Sequence, residues 1–197
     1  MVSLRKAKLY GGVGAMLLLL SGVVSILLGF ILGNGLDRSI ITSISPLIVL
    51  IVGYILILVA VKSISEVTND KAIYSNAFYA VILFIIGQVV SSIITFLLFE
   101  HLNSAEVFSL LIRFFVIIVT LAIFYIVGSI FLKKSFYRIA ELVKIEHFRT
   151  VGLLYFIGSI LMVILIGGII IIIAEILMII AFFSIREQPP HIPPTPV

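Results

Sequence analysis

The chain has no cysteine and no tryptophan, and only 11% of its 197 residues are charged. Without cysteine there is no disulfide, thiolate metal site or thiol nucleophile, and the sequence carries no mark of redox compartment. Without tryptophan, an interfacial aromatic belt has to come from tyrosine and phenylalanine. The shortage of charge excludes most. A soluble domain carries about 25% charged residues, and this chain could not cover a water-facing surface with less than half of that. A soluble enzyme, a nucleic-acid-binding domain and a disordered tail are therefore excluded. What is present is apolar: 62% of the residues, with a mean hydropathy of +1.38. One membrane span takes about 20 apolar residues, so the chain holds material for about six and little else. The net charge of +4 sits in the loops, where it reports topology rather than nucleic-acid binding.

The start, Met1 to Lys8, is basic through Arg5, Lys6 and Lys8, and an apolar run to about Leu32 follows. That run exceeds the roughly 7–15 apolar residues of a signal peptide and has no A-x-A-like site after it, so it reads as an uncleaved first span. The polar break Gly33 to Ser39 ends it, and Pro46 sits near the start of a second span reaching about Val61. Proline is tolerated there because first-turn amides have no intrahelical acceptor. A polar stretch, Lys62 to Asn76, leads to span three (about 77–99), and Glu100 to Glu106 connects it to span four (about 108–132).

Lys133 to Thr150 is the largest polar segment, and Phe136, Ile139, Ala140 and Val143 place one apolar stripe on it at helical spacing. It reads as a short amphipathic cytoplasmic helix, lying either in the headgroup layer or docked on its own bundle. Its lysines and arginines suit anionic lipid headgroups better than nucleic acid.

Val151 to Ile185 is 35 residues long with one charge. A single helix of that length would run about 52 Å, well beyond the roughly 30 Å hydrocarbon core. Two helices of about 16 residues fit, turning at Gly167-Gly168, where glycine makes a turn sterically cheap. A repeat supports the hairpin: Tyr54 to Glu66 and Glu175 to Glu187 are identical at six of thirteen positions, including Ser-Ile-x-Glu at the membrane exit. Lys134-Ser135-Phe136 is a weaker echo, and Gly14, Gly87 and Gly158 recur in the entering helices. The expectation is an all-α polytopic bundle of six spans in three tandem hairpins, five spans being the alternative. Residues 1–187 form one transmembrane domain and 188–197 a proline-rich cytoplasmic tail.

Six spans put eleven of the thirteen basic residues on one side, leaving Arg38 and Arg113 on the other. The positive-inside rule then places both termini in the cytoplasm, in a multi-pass protein of the cell membrane.

The segments Lys6 to Leu20, Leu58 to Glu66, Lys133 to Ala140, Val151 to Ser159 and Ala181 to Ile185 resemble an uncharacterised, mainly archaeal family of membrane proteins, domain of unknown function 996. The resemblance covers most of the chain and implies a prokaryotic cytoplasmic membrane. It brings no activity, ligand or catalytic residue with it.

Glu175 is the most informative single residue. It falls near mid-depth, where a charge costs roughly 2.5–3.5 kcal/mol, so it has to face the bundle and be protonated or paired. It could serve a proton or cation relay, or be a neutral acid hydrogen-bonded to a neighbouring helix. Arg113 is the candidate partner, with a snorkelling arginine as the alternative, and Gln88 could hydrogen-bond across helices. Small residues recur every four positions at Ser21, Ser25, Gly29 and Gly33, and at Gly87, Ser91 and Thr95. With Gly158 they mark faces where helix backbones approach closely, within the bundle or between copies. His101, His147 and His191 are scattered, and no zincin, nucleophile-elbow or P-loop pattern is present. No catalytic residue, metal or cofactor is expected.

Two functions remain. One is a structural or accessory membrane protein, a subunit of a larger complex, whose partners are the bilayer and other proteins or further copies of the chain within it. The other is a small transporter or channel using Glu175 as a buried proton or cation site.

Overall fold

A computed structural model describes residues 4–32, 36–99 and 107–186 of the chain. They form six helices: α1 (Leu4–Leu32), α2 (Leu36–Thr68), α3 (Lys71–Phe99), α4 (Val107–Val143), α5 (His147–Leu161) and α6 (Ile166–Phe183). Each is long and apolar enough to cross a membrane. Helices suit such sequences because hydrocarbon offers backbone amides no partner outside their own segment. The protein is an all-α bundle of six candidate spans, and the tail 188–197 lies outside the described residues.

Successive helices pack most extensively as hairpins: α1 on α2, α3 on α4, and α5 on α6. α2 also touches α3, α4 touches α5, and α6 returns to α1. The helices thus close into a ring, with large side chains filling its axis and an apolar outer surface. Phe96, Leu111 and Ile169 are each more than half exposed there, which costs nothing against lipid tails.

Glycines set how closely each hairpin closes. Gly14 and Gly53 face each other across α1 and α2, where a Cβ on Gly14 would meet the Gly53 carbonyl at 2.8 Å. Between α3 and α4 the fit is reciprocal in another way. Gly87 receives Phe124 and Gly128 receives Phe84: a Cβ on Gly87 would lie 2.6 Å from the Phe124 Cβ, and one on Gly128 2.6 Å from the Phe84 ring.

The helices extend beyond the expected spans. α1 already includes Arg5, Lys6 and Lys8, and α2 begins before Asp37, so Pro46 is buried inside α2 rather than near its start. The stretch 62–76 is almost wholly helical, its reversal compressed into Asn69 and Asp70. Asn69 takes φ 53°, the Asp70 N–H reaches the Ser65 carbonyl at 3.1 Å, and the Asp70 carboxylate caps α3 by accepting the Ala72 N–H at 3.0 Å.

The amphipathic segment after span four is not a separate helix. Its apolar stripe is the end of the 37-residue α4, and Phe136, Ile139 and Ala140 are fully buried. Continuity with α4 carries the stripe onto the neighbouring helices, so it docks on its own bundle instead of the headgroup layer.

The last reversal also lies elsewhere than expected. α5 ends in a single 3-10 turn, Met162–Ile164, and Leu165 makes the turn at φ 65°. Gly167 already belongs to α6 and is used for close approach. A Cβ there would meet the Gly158 carbonyl at 2.1 Å and the Met162 nitrogen at 2.3 Å, whereas Gly168 has nothing within 4 Å.

Candidate functional site

Glu175 is the tenth of the 18 residues of α6, beside the buried Ile171, Ala174 and Met178. Its Oε1 accepts a hydrogen bond from Tyr155 Oη of α5 at 3.4 Å. Tyr155 is 1% exposed, and its carbonyl takes the Ser159 hydroxyl at 2.7 Å. Across the axis the hydroxyls of Tyr54 (α2) and Tyr125 (α4) interact with each other, and both rings are buried. Phe84 of α3 stands among the three tyrosines, its ring centroid 5.8 Å from Tyr54, 4.8 Å from Tyr125 and 6.1 Å from Tyr155. A cavity of about 10 Å³ lies on the axis, lined by eight residues from all six helices, among them Leu18, Tyr54, Phe84, Leu132, Tyr155 and Met178. That is about the volume that holds one water molecule.

The repeat explains the convergence. Tyr54 aligns with Glu175, and Tyr125 precedes Lys133 by the same eight residues that separate Tyr54 from Lys62. The second helix of each hairpin therefore sends one polar side chain to the axis at the same level: two phenols and a carboxyl. Sequence reasoning missed the tyrosines, because an aromatic inside an apolar run looks like ordinary core. The eight-residue offset was the signal that could have found Tyr125.

The other polar candidates do not join this cluster. Arg113 donates to the Leu98 carbonyl of α3. It lies twelve residues before Tyr125, about 18 Å along α4, too far to serve Glu175. Gln88 is partly buried one turn beyond Phe84, and its carbonyl accepts the Ser92 hydroxyl at 2.8 Å. Of the small residues, Gly87 faces Phe124, Gly158 faces Ile171 and the Gly167 carbonyl, and buried Ser21 donates to the Leu18 carbonyl. Ser25 and Gly29 belong to α1, and the surroundings of their side chains lie outside the description. Gly33, His101 and His191 lie outside the described residues.

A second level of the axis lies at the basic end, where α1, α3 and α5 begin and α2, α4 and α6 finish. Phe136, Phe148 and Phe182 meet edge to face there, at 5.5, 6.4 and 5.1 Å between centroids. The repeated Ser-Ile and Ser-Phe pairs contribute Ile64, Phe136 and Ile185 to this level, all buried. Their serines bond to backbone, Ser63 to Val59, Ser184 to Ile180 and Ser135 to Ile73 of α3. Arg138 reaches Asp70 at 2.6 Å, and this bond, with the α3 N–H groups, holds the Asp70 carboxyl below its usual range. Lys133 lies over the rings of Phe156 and Tyr137, at 5.0 and 5.4 Å. Among the described residues no group of three or more His, Asp or Glu is placed to hold a metal. An apolar cleft of about 380 Å³ between the start of α4 and the α5–α6 turn opens sideways, where lipid tails have access.

Comparison with known proteins supplies the family. The chain is 32% identical over 190 residues to an uncharacterized protein of the archaeon Methanocaldococcus jannaschii, a match covering 95% of this chain and 96% of the relative. No solved structure matches. Residues 49–176 match the family described as Protein of unknown function (DUF996). With α3, α4 and α5 and parts of α2 and α6 inside that match, and an archaeal relative aligned along nearly its whole length, the chain belongs to the DUF996 family.

Proposed function

We propose that the protein is a structural or accessory component of the prokaryotic cytoplasmic membrane, and not an enzyme. It acts through lateral contacts with membrane proteins or with further copies of itself. The observation that carries this reading is the filled axis: Phe84 and three tyrosines occupy it, and the cavity beside them is about 10 Å³. A transporter or channel needs polar space along a path, and the sealed aromatic layer favours the structural role over that alternative.

Orientation follows from charge. Arg5, Lys6, Lys8, Lys62, Lys71, Lys133, Lys134, Arg138, Lys144, Arg149 and Arg186 gather at one end of the ring, which the positive-inside rule assigns to the cytoplasm together with both termini. Cysteines introduced at Gly168 and Thr195 test it in intact cells: an impermeant reagent outside should label the first and spare the second.

The function itself is tested by isolating the chain from its native membrane in mild detergent and weighing what comes with it. A reproducible stoichiometric assembly is the expected result. A partner-free monomer, together with proton or cation flux in proteoliposomes that Glu175→Gln abolishes, overturns the reading.

A further inference from the structure

We infer that the ring axis is a proton-binding site, in which the Glu175 carboxyl takes and releases one proton against the Tyr155 hydroxyl. The site goes beyond the structural role and is independent of it, since it belongs to the ring whether or not other proteins surround it.

The groups around Glu175 are phenols, not cations. α5 presents Tyr155, α4 Tyr125, α2 Tyr54 and α3 Phe84, while α1 offers Leu18 at this level. The lysines and arginines on the helices packed against α6 lie at the basic end: Arg5, Lys6 and Lys8 on α1, and Arg149, close in sequence to His147, on α5. Arg113 is engaged with Leu98. The carboxyl therefore has a neutral donor and no counter-charge among the described residues, so a proton is the species that neutralises it.

The hydrogen bond itself can follow that change of charge. The 3.4 Å separation of Tyr155 Oη and Glu175 Oε1 is long for an O–H···O bond and has room to contract. When the carboxyl ionises, its proton passes to water as hydronium, and Tyr155 is left donating to a carboxylate. Such charge-assisted bonds shorten, drawing α5 and α6 together at the axis.

The full chain in liposomes tests this by infrared difference spectroscopy from about pH 4 to about pH 10, between ordinary carboxyl and phenol ionisation. The expected result is a protonated-carboxyl C=O band that disappears as pH rises. It should be missing in Glu175→Gln, displaced in frequency in Tyr155→Phe, and kept at a new frequency in Glu175→Asp. Circular dichroism checks that each variant is folded, and Glu175→Asp keeps the test valid should the amide variant not fold. A band that persists in Glu175→Gln, or no titrating carboxyl band in the folded wild type, overturns the site. Loss of the band on adding sodium chloride at constant pH also overturns it, in favour of a metal cation.

Discussion

Two levels of the same ring axis are built from equivalent positions and end up chemically opposite. At the basic end the second helices of the hairpins, or the residues just after them, contribute Ile64, Phe136 and Ile185, and the level is closed by fully buried apolar side chains. Further from the basic end the same three helices contribute Tyr54, Tyr125 and Glu175, and the level carries hydroxyls and a carboxyl. Helix geometry is common to both, so it cannot account for the difference. What differs is the partner brought by the first helices. Phe148 of α5 packs edge to face on Phe136 and Phe182, whereas Tyr155, two turns further along α5, supplies a hydrogen-bond donor. A buried polar group is tolerable where a donor meets it and costly elsewhere.

Removing a ring from either level should give the largest effect. Phe182→Ala and Phe84→Ala are each expected to cost about 3–5 kcal/mol, read as denaturant unfolding of the reconstituted protein. A much smaller loss for Phe84 would show that the axis level is not close-packed and would break the comparison. Gly11→Ala comes next, at about 1–3 kcal/mol, because its Cβ would lie 2.1 Å from the Phe182 ring. Combination with Phe182→Leu should recover part of that loss, confirming that the ring is the obstacle.

Glu175→Gln and Tyr155→Phe should be milder. Their coupling in a double-mutant cycle is expected at about 0.6 kcal/mol, as for other hydrogen bonds within membranes. A coupling near zero would leave the axis level with an unpartnered carboxyl and remove the contrast between the levels.

The smallest effect belongs to Asp70. Its folded-state pKa is depressed by Arg138 and the α3 N–H groups. The stabilisation is therefore present above the unfolded value, about 3.9, and is lost as pH falls through the folded value. Arg138 is half exposed, which limits the ion pair to less than about 1 kcal/mol. Unfolding at about pH 7 and about pH 3 should show a difference between the two that shrinks in Asp70→Asn.

Much of the fold was legible because hydrocarbon is a severe solvent: long apolar runs, short polar breaks and the Ser-Ile repeat are enough to mark six helices and three hairpins. Glu175 stood out for the same reason, as an acid with no polar neighbours in its own segment. Gly167-Gly168 misled because a glycine's freedom to turn and its lack of a Cβ are indistinguishable in sequence. Here Leu165 turns, and Gly167 lets α6 approach α5. Arg113 was open to two readings, partner of Glu175 or snorkelling residue, because approximate depth does not resolve which level of the axis a side chain meets.

Composition and periodicity specify that this chain spans the membrane, roughly where its helices lie, and which end is basic. These are properties of single segments in contact with lipid. The closure of α6 onto α1, the meeting of Tyr54, Tyr125, Tyr155 and Glu175, and the sealing of the axis around Phe84 are properties of pairs far apart in the chain. They are decided by which helix faces can approach closely, at Gly14 and Gly53, Gly87 and Gly128, and Gly158 and Gly167. In lipid, where apolar faces have no water to escape, close packing and matched polar groups are what distinguish one arrangement of helices from another.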